Sequence, residues 1–218
     1  QRTRGASRRS PLTPDVRQPH TPPMPEAAPP YFGVPVTAIP GVAEPSATCA
    51  LCGTVGTSIP LRSAHRLPHS RPEREGLFGC LSCLAAGRYT FFHITEAGYL
   101  FEDGLHNPTD TELLIPPHLH GIAPDRLELL RRTPRFPTWN EVEWPVHCHD
   151  FMVFLGEWSP PEFSRFGNGH SLFLQMTPIE NHVVWPESGS ADWPIDCFTY
   201  WAFQCRHCGV YRGVCDLG

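Results

Sequence analysis

Two Cys-x-x-Cys pairs, Cys49/Cys52 in "TCALCG" and Cys80/Cys83 in "GCLSCL", are separated by 27 residues, and a third pair, Cys205/Cys208, lies in "FQCRHCG". This spacing brings two sulfurs within reach of one ion and supplies half of a tetrahedral zinc site. The first two pairs complete each other: Cys49, Cys52, Cys80 and Cys83 predict a closed four-cysteine site. Four thiolates leave the ion no open position, so the expected role is structural, substituting for core in a proline-rich stretch. Gly53 follows Cys52 where such a loop needs a positive φ. Six of the nine cysteines sit in pairs and the total is odd. That pattern favours thiolate-bound zinc in a reducing cytoplasm over a secreted disulfide scaffold.

The third pair needs partners among Cys148, Cys197 and Cys215. Cys148 stands in "HCHD", where His147, Cys148, His149 and Asp150 crowd donors into four positions. Adjacent side chains usually point apart, so the four cannot all serve one ion. A trio of Cys148, Cys205 and Cys208 with one histidine makes a closed site. The same trio with water would have the open position of a hydrolase or deaminase-like enzyme, with His147 or His149 paired to Asp150. The H-x-E…P-C-x-x-C signature of the zinc deaminases is absent, and no glycine-rich phosphate loop occurs. Cys215 is expected to be a spare thiol.

The elements that must carry these residues read as short. "TCALCGTVGTSIPL" is a turn beside a strand, and "LFGCLSCLAAGRYTFF" repeats that pattern with a brief helical turn. In "APDRLELLRRTPRF" Pro124 and Asp125 suit a helix start, Leu127 and Leu130 share a face, and Pro134 stops it. "VHCHDFMVFLGEW" reads as a knuckle entering a strand; "HSLFLQM" and "DCFTYWAFQC" read as strands. "RFGNGHS" is a turn at Asn168-Gly169. "LRSAHRLPHSRPEREG", with His65 and His69, reads as a solvated loop. Most of the six tryptophans (Trp139, Trp144, Trp158, Trp185, Trp193 and Trp201) are expected in the core. The fold class is α+β: small mixed or antiparallel sheets organised around zinc-ribbon and knuckle sites, few short helices, many loops.

Composition agrees with a loop-rich chain, with 26 prolines and 18 glycines in 218 residues. All 17 basic residues are arginine. Residues 1–30 hold five arginines against Asp15 and Glu26, a net +3, and read as a flexible Pro/Arg-rich tail. The remainder holds 12 arginines against 20 acids, a net −8, which argues against nucleic-acid binding and suits a basic protein partner. No apolar run is long enough for a membrane span, and no apolar segment follows the first arginines as in a signal peptide, so a cytoplasmic location is expected.

The order of landmarks resembles the CbrC family of bacterial proteins over roughly residues 31–218. The resemblance rests on "TCALCG", "CLSC", Arg132-Thr133-Pro134 to Trp139, the Trp144–Gly156 stretch and Phe203-x-Cys205-Arg206-His207-Cys208-Gly209. It implies a zinc-binding body in two parts, 31–105 with the four-cysteine ribbon and 106–218 with the C-terminal knuckle. It also implies tolerance to a DNase colicin and an immunity-type role with a toxin or nuclease domain as partner. No enzymatic activity is established for that group, and with no complete catalytic constellation in the sequence none is expected here. The family pattern offers a further cysteine where this chain has Met152, a poor zinc ligand. The second site therefore draws on His147 or His149, recruits Cys197, or is incomplete; His147 is the expected donor. One or two structural Zn2+ ions follow, and the expected function is a non-catalytic protein-binding module. An open-site hydrolase and a nucleic-acid-associated regulator are the alternatives.

Overall fold

The computed structural model describes residues 28–61, 64–66, 69–72, 76–138, 142–166, 168–177 and 199–216. The Pro/Arg-rich stretch up to residue 27, Cys197, Trp139, Trp185 and Trp193 lie outside the described residues.

The chain folds as small antiparallel sheets with few short helices, an α+β arrangement built around its cysteine clusters. β1 (Glu44–Thr48) and β2 (Val55–Pro60) form a hairpin whose loop carries Cys49 and Cys52. Two strands follow where the sequence suggested a loop, β3 (Ala64–Arg66) and β4 (His69–Pro72). Backbone pairing overrides the polarity of that segment, because β3 finds β4 on one side and β6 (Tyr89–Phe91) on the other. β5 (Phe78–Cys80) pairs with β2 and runs into helix α1 (Leu81–Ala85), which carries Cys83. A small core of Ile59, Leu61, Leu84, Tyr89 and Phe91 packs directly on these cysteines. The Tyr89 hydroxyl donates to the Gly79 carbonyl at 3.0 Å, joining β6 to β5.

A four-strand meander comes next: β7 (His93–Thr95), β8 (Gly98–Leu100), β9 (Leu105–Asn107) and β10 (Asp110–Leu114), in the order β10-β9-β8-β7. After α2 (Pro117–His120), α3 (Pro124–Arg131) forms as its residues dictate. Pro124 opens it, Asp125 lies in its first turn, and Leu127 and Leu130 are buried. Then β11 (Val146–His147) and β12 (Asp150–Phe151) make a tight hairpin, followed by β13 (Val153–Glu157).

α4 (Pro160–Ser164) and α5 (Gly169–Met176) follow. α5 corrects the strand expected at "HSLFLQM". Asn168 caps it, its side chain accepting the Ser171 N–H at 3.0 Å, and Leu172, Phe173 and Met176 fall on one face. A cap and a helical period outweigh the β propensity of so short a run. β14 (Thr199–Gln204) and β15 (Tyr211–Asp216) complete a sheet ordered β13-β14-β15, with the Cys205/Cys208 loop between β14 and β15.

The main core centres on Trp144, ringed by Phe32, Phe136, Phe154 and Phe203 at 5.2–6.4 Å between centroids. Its indole N–H donates to the Met152 carbonyl at 2.9 Å. Each such buried ring contributes roughly 1.5–3 kcal/mol. Trp158 and Trp201 are buried as well. Residues Tyr31–Gly33 run along the outer edge of β13: Gly33 N–H donates to Phe154 O, and Phe154 N–H to Tyr31 O, both at 2.8 Å. No helix among the described residues is long and apolar enough to cross a membrane.

Candidate metal centres

The two Cys-x-x-Cys-Gly loops share one backbone design. In the first, Gly53 N–H donates to Cys49 O at 2.8 Å and Cys49 N–H to Thr54 O at 2.9 Å; in the second, Gly209 N–H donates to Cys205 O at 2.9 Å and Cys205 N–H to Val210 O at 2.8 Å. Both loops close through a glycine in the left-handed region, Gly53 at φ 75° and Gly209 at φ 74°. A side chain there would be strained even though the space beside each is open.

The first cluster gathers Cys49, Cys52, Cys80 and Cys83, their sulfurs all within 4.8 Å of one another. The Cys49–Cys83 sulfurs are 3.9 Å apart and the Cys52–Cys80 sulfurs 3.6 Å. A tetrahedral zinc with Zn–S bonds of about 2.3 Å has edges of about 3.8 Å, so the thiols already stand at those corners. Arg88 ties the halves together, donating to the Cys83 sulfur at 3.5 Å and the Leu51 carbonyl at 2.7 Å. Its charge also offsets part of the negative charge of four thiolates. Sequence reading missed Arg88, since in a chain whose basic residues are all arginine nothing marks this one out.

Proton affinities in the cluster diverge. The Thr54 hydroxyl and amide hold the Cys52 thiol down to about 6, whereas burial and its three thiol neighbours push Cys83 up to about 12. Four crowded sulfurs cannot all ionise by themselves, and a dication is what permits it. The donor set fits a thiophilic metal.

The second cluster brings together His147, Cys148, Cys205 and Cys208, again with all donor atoms within 4.8 Å. His147 Nδ1 is 3.2 Å from the Cys148 sulfur and 3.3 Å from that of Cys208. A tetrahedral zinc would set such S–N edges at about 3.6 Å, within a small ring adjustment of these values. Neighbouring side chains converge here because of the hairpin. His147 pairs with Asp150 across the two-residue turn Cys148-His149, whose φ values, 52° and 57°, follow the type I′ pattern.

Burial of Cys205 opposes its ionisation, but the backbone N–H groups of Cys208 and His207 outweigh it and hold the thiol to about 6. Cys148 is raised to about 11, first by its hydrogen bond with Cys208. His149 stands outside the cluster, near Gly121. Met152 is fully buried in the main core. Cys215 is disulfide-bonded, which corrects the expectation of a spare thiol.

Asp150 turns away from the donors. It is buried, accepts hydrogen bonds from the Tyr31 hydroxyl and from His207 Nε2 (2.9 Å), and lies 3.8 Å from Arg126 Nε and 3.7 Å from Arg206 Nε. Arg206 also stacks over the Tyr31 ring at 4.2 Å. On the other flank Glu96 accepts the Val146 N–H at 2.8 Å and pairs with Arg212 at 2.7 Å, fastening β11 to β15.

A model of an uncharacterised protein family, UPF0167, matches residues 30–217. The chain is similar to a UPF0167 protein of Pseudomonas aeruginosa, 27% identical over 172 residues, which is 78% of this chain and 86% of that protein. It is also similar to UPF0167 proteins of Mycobacterium bovis and Mycobacterium tuberculosis, each 28% identical over 103 residues, 41% of this chain and 49% of theirs. No solved structure matches it. The family and relatives are UPF0167, which corrects the CbrC resemblance, and the colicin-tolerance and immunity role it implied falls with it. The residues that suggested it, Trp144, Phe154, Phe203 and the cysteines, build core and clusters, and so specify architecture rather than a role. The chain belongs to the UPF0167 family.

Proposed function

We propose that this UPF0167 protein is a non-catalytic protein-binding module held in shape by two zinc ions, one in each cluster. One observation carries the reading: each cluster gathers four protein donors at separations suited to a tetrahedral shell. A shell completed by the protein leaves no coordination position for substrate, so the ions act on the fold. Thiolate-rich tetrahedral sets favour zinc among the abundant divalent metals. The partner that the charge supports is a protein with a basic surface, because residues from 31 onward carry a net −8. β10 is exposed along its length and sets Asp110 and Glu112 beside Leu113 and Leu114, the acidic and apolar mixture such a partner would meet.

Metal analysis and cobalt substitution test the reading. Two ions per chain are expected, one for each cluster, with thiolate-rich tetrahedral cobalt spectra that added azide leaves unchanged. A spectrum that shifts with azide at either cluster would reveal an open position and overturn the non-catalytic role. Association with a basic protein should weaken with salt and with Asp110→Arg/Glu112→Arg. Insensitivity to both would remove the proposed partner chemistry.

A further inference from the structure

Among the described residues, three besides glycine adopt a positive φ: Tyr31 at 59°, Cys148 at 52° and His149 at 57°. All three belong to one connected patch at the second cluster. Cys148 is a clustered donor, and His149 completes its two-residue turn. Tyr31, 119 positions from Asp150 in sequence, donates its hydroxyl to that residue, which follows the turn directly. Side chains other than glycine are sterically disfavoured in this region, and such strain persists only where the surroundings enforce it. The hairpin itself enforces little, having two residue pairs, Val146 with Phe151 and His147 with Asp150.

The two clusters also differ in access. In the first, Cys49, Cys80 and Cys83 are buried and Cys52 is exposed; in the second, Cys205 alone is buried, while Cys148 and Cys208 are exposed and His147 is half-buried. The first has four sulfurs, whereas the second has a neutral nitrogen that can leave the ion without uncovering a bare thiolate.

We infer that the second cluster is an exchangeable site for a borderline-soft divalent cation, zinc foremost, whose ion holds Tyr31, Cys148 and His149 in their left-handed conformations. Release of the ion relaxes the turn, loosens Asp150 from Tyr31 and His207, and frees residues 31–33 from the edge of β13. The first cluster keeps its ion throughout. Occupancy of the second centre is thereby read out at a strand edge distant in sequence, where a partner would sense it. This inference rests on the reading of both clusters as zinc sites.

The test mixes the two-zinc protein with excess chromophoric chelator and follows zinc release alongside amide hydrogen exchange. One zinc per chain should leave roughly thirty-fold or more faster than the other, the factor implied by two donor-turn residues in the left-handed region. During that fast phase the amides of Gly33 and Phe154 should lose protection, while those of Ala50 and Gly53 keep theirs until the slow phase. Cys148→Ser should abolish the fast phase and leave the slow one. His149→Gly removes no donor and suits the positive φ, so it should slow the fast phase roughly five-fold. Release in one phase, release from the four-cysteine cluster first, or unchanged protection at Gly33 and Phe154 would overturn the inference. A His149→Gly protein that releases zinc as fast as the parent would do the same. Purified protein with a single zinc would overturn the two-zinc reading as well, whereas two zincs leaving together would sink this inference alone.

Discussion

Lowering the pH should destabilise the protein through one buried imidazole, His93. It is 1% exposed, packed edge-to-face against Trp144 at 5.4 Å, and its Nε2–H donates to the Thr133 carbonyl at 2.9 Å. Burial, and then the nearby charge of Arg135, hold its pKa down to about 3; the carbonyls of Thr133 and Leu130 pull the other way and lose. In the unfolded chain the group titrates near 6.5. Acid therefore protonates the unfolded state first. Stability is intact above about 6.5, falls as the pH drops below that value, and keeps falling until the folded-state pKa is reached. Between pH 8 and pH 5 the linkage relation gives a loss of about 2 kcal/mol from this residue, and about 5 kcal/mol over the full window. The assay is urea unfolding of the zinc-loaded parent and of His93→Gln at pH 8, 7, 6 and 5, followed by tryptophan fluorescence. Titration at the metal clusters is common to both proteins, so the change in their stability gap isolates His93. The variant should be the weaker at pH 8, and the gap should narrow by about 2 kcal/mol at pH 5. Stability curves that run parallel across the range would refute the argument.

Other substitutions report on the clusters and on the core behind them. Cys49→Ser and Cys205→Ser should each remove one zinc per chain by elemental analysis; a loss of both from either variant would mean that the clusters are not independent. Gly53→Ala and Gly209→Ala meet open space but keep the positive φ, so each should cost roughly 1 kcal/mol and weaken zinc binding about five-fold in a competition titration. Glu96→Gln loosens β11 from Arg212 and should lower stability by about 1 kcal/mol, since both partners are about one-third exposed and water screens the pair. Gly213→Ala would place a methyl 1.7 Å from the hydroxyl of Tyr200, a buried ring bonded to Thr177 at 2.9 Å. It should cost about 3 kcal/mol or prevent folding, read as a fall in Tm.

The cysteines were the most legible part of the chain, because a four-donor cluster constrains the spacing of its members directly, and the structure gathers them as two such clusters. Pro124, Asp125 and the Leu127/Leu130 pair likewise announce α3, since a cap and a period are local signals. α5 was hidden in a run short enough to read as a strand, and the cap that decides it lies one residue before the helix begins. β3 and β4 were hidden for the opposite reason: their pairing with each other and with β6 comes from tertiary proximity, which an arginine- and proline-rich segment does not advertise. Asp150 stood out in "HCHD" as a partner for zinc-bound water, yet the fold turns it towards Tyr31, His207, Arg126 and Arg206. No spacing rule connects residues so far apart. The turn at Cys148-His149 lacks the asparagine or glycine that would have marked it.

The two clusters also differ in when they can be assembled. Every donor of the first lies between Cys49 and Cys83, whereas the second joins Cys148 to Cys205 and Cys208 across the whole of β13, α4, α5 and β14. A chain emerging from the ribosome can therefore bring the four cysteines of the first cluster together and set the β1-β2-β5 sheet well before the second cluster has its last donors. Until then the turn at Cys148 lacks the two cysteines it clusters with and the His207 contact to Asp150, and the aromatic core around Trp144 still lacks Phe203. The order of synthesis thus gives the donors an order of assembly, with the N-terminal cluster complete first and the second complete only when the last Cys-x-x-Cys loop arrives.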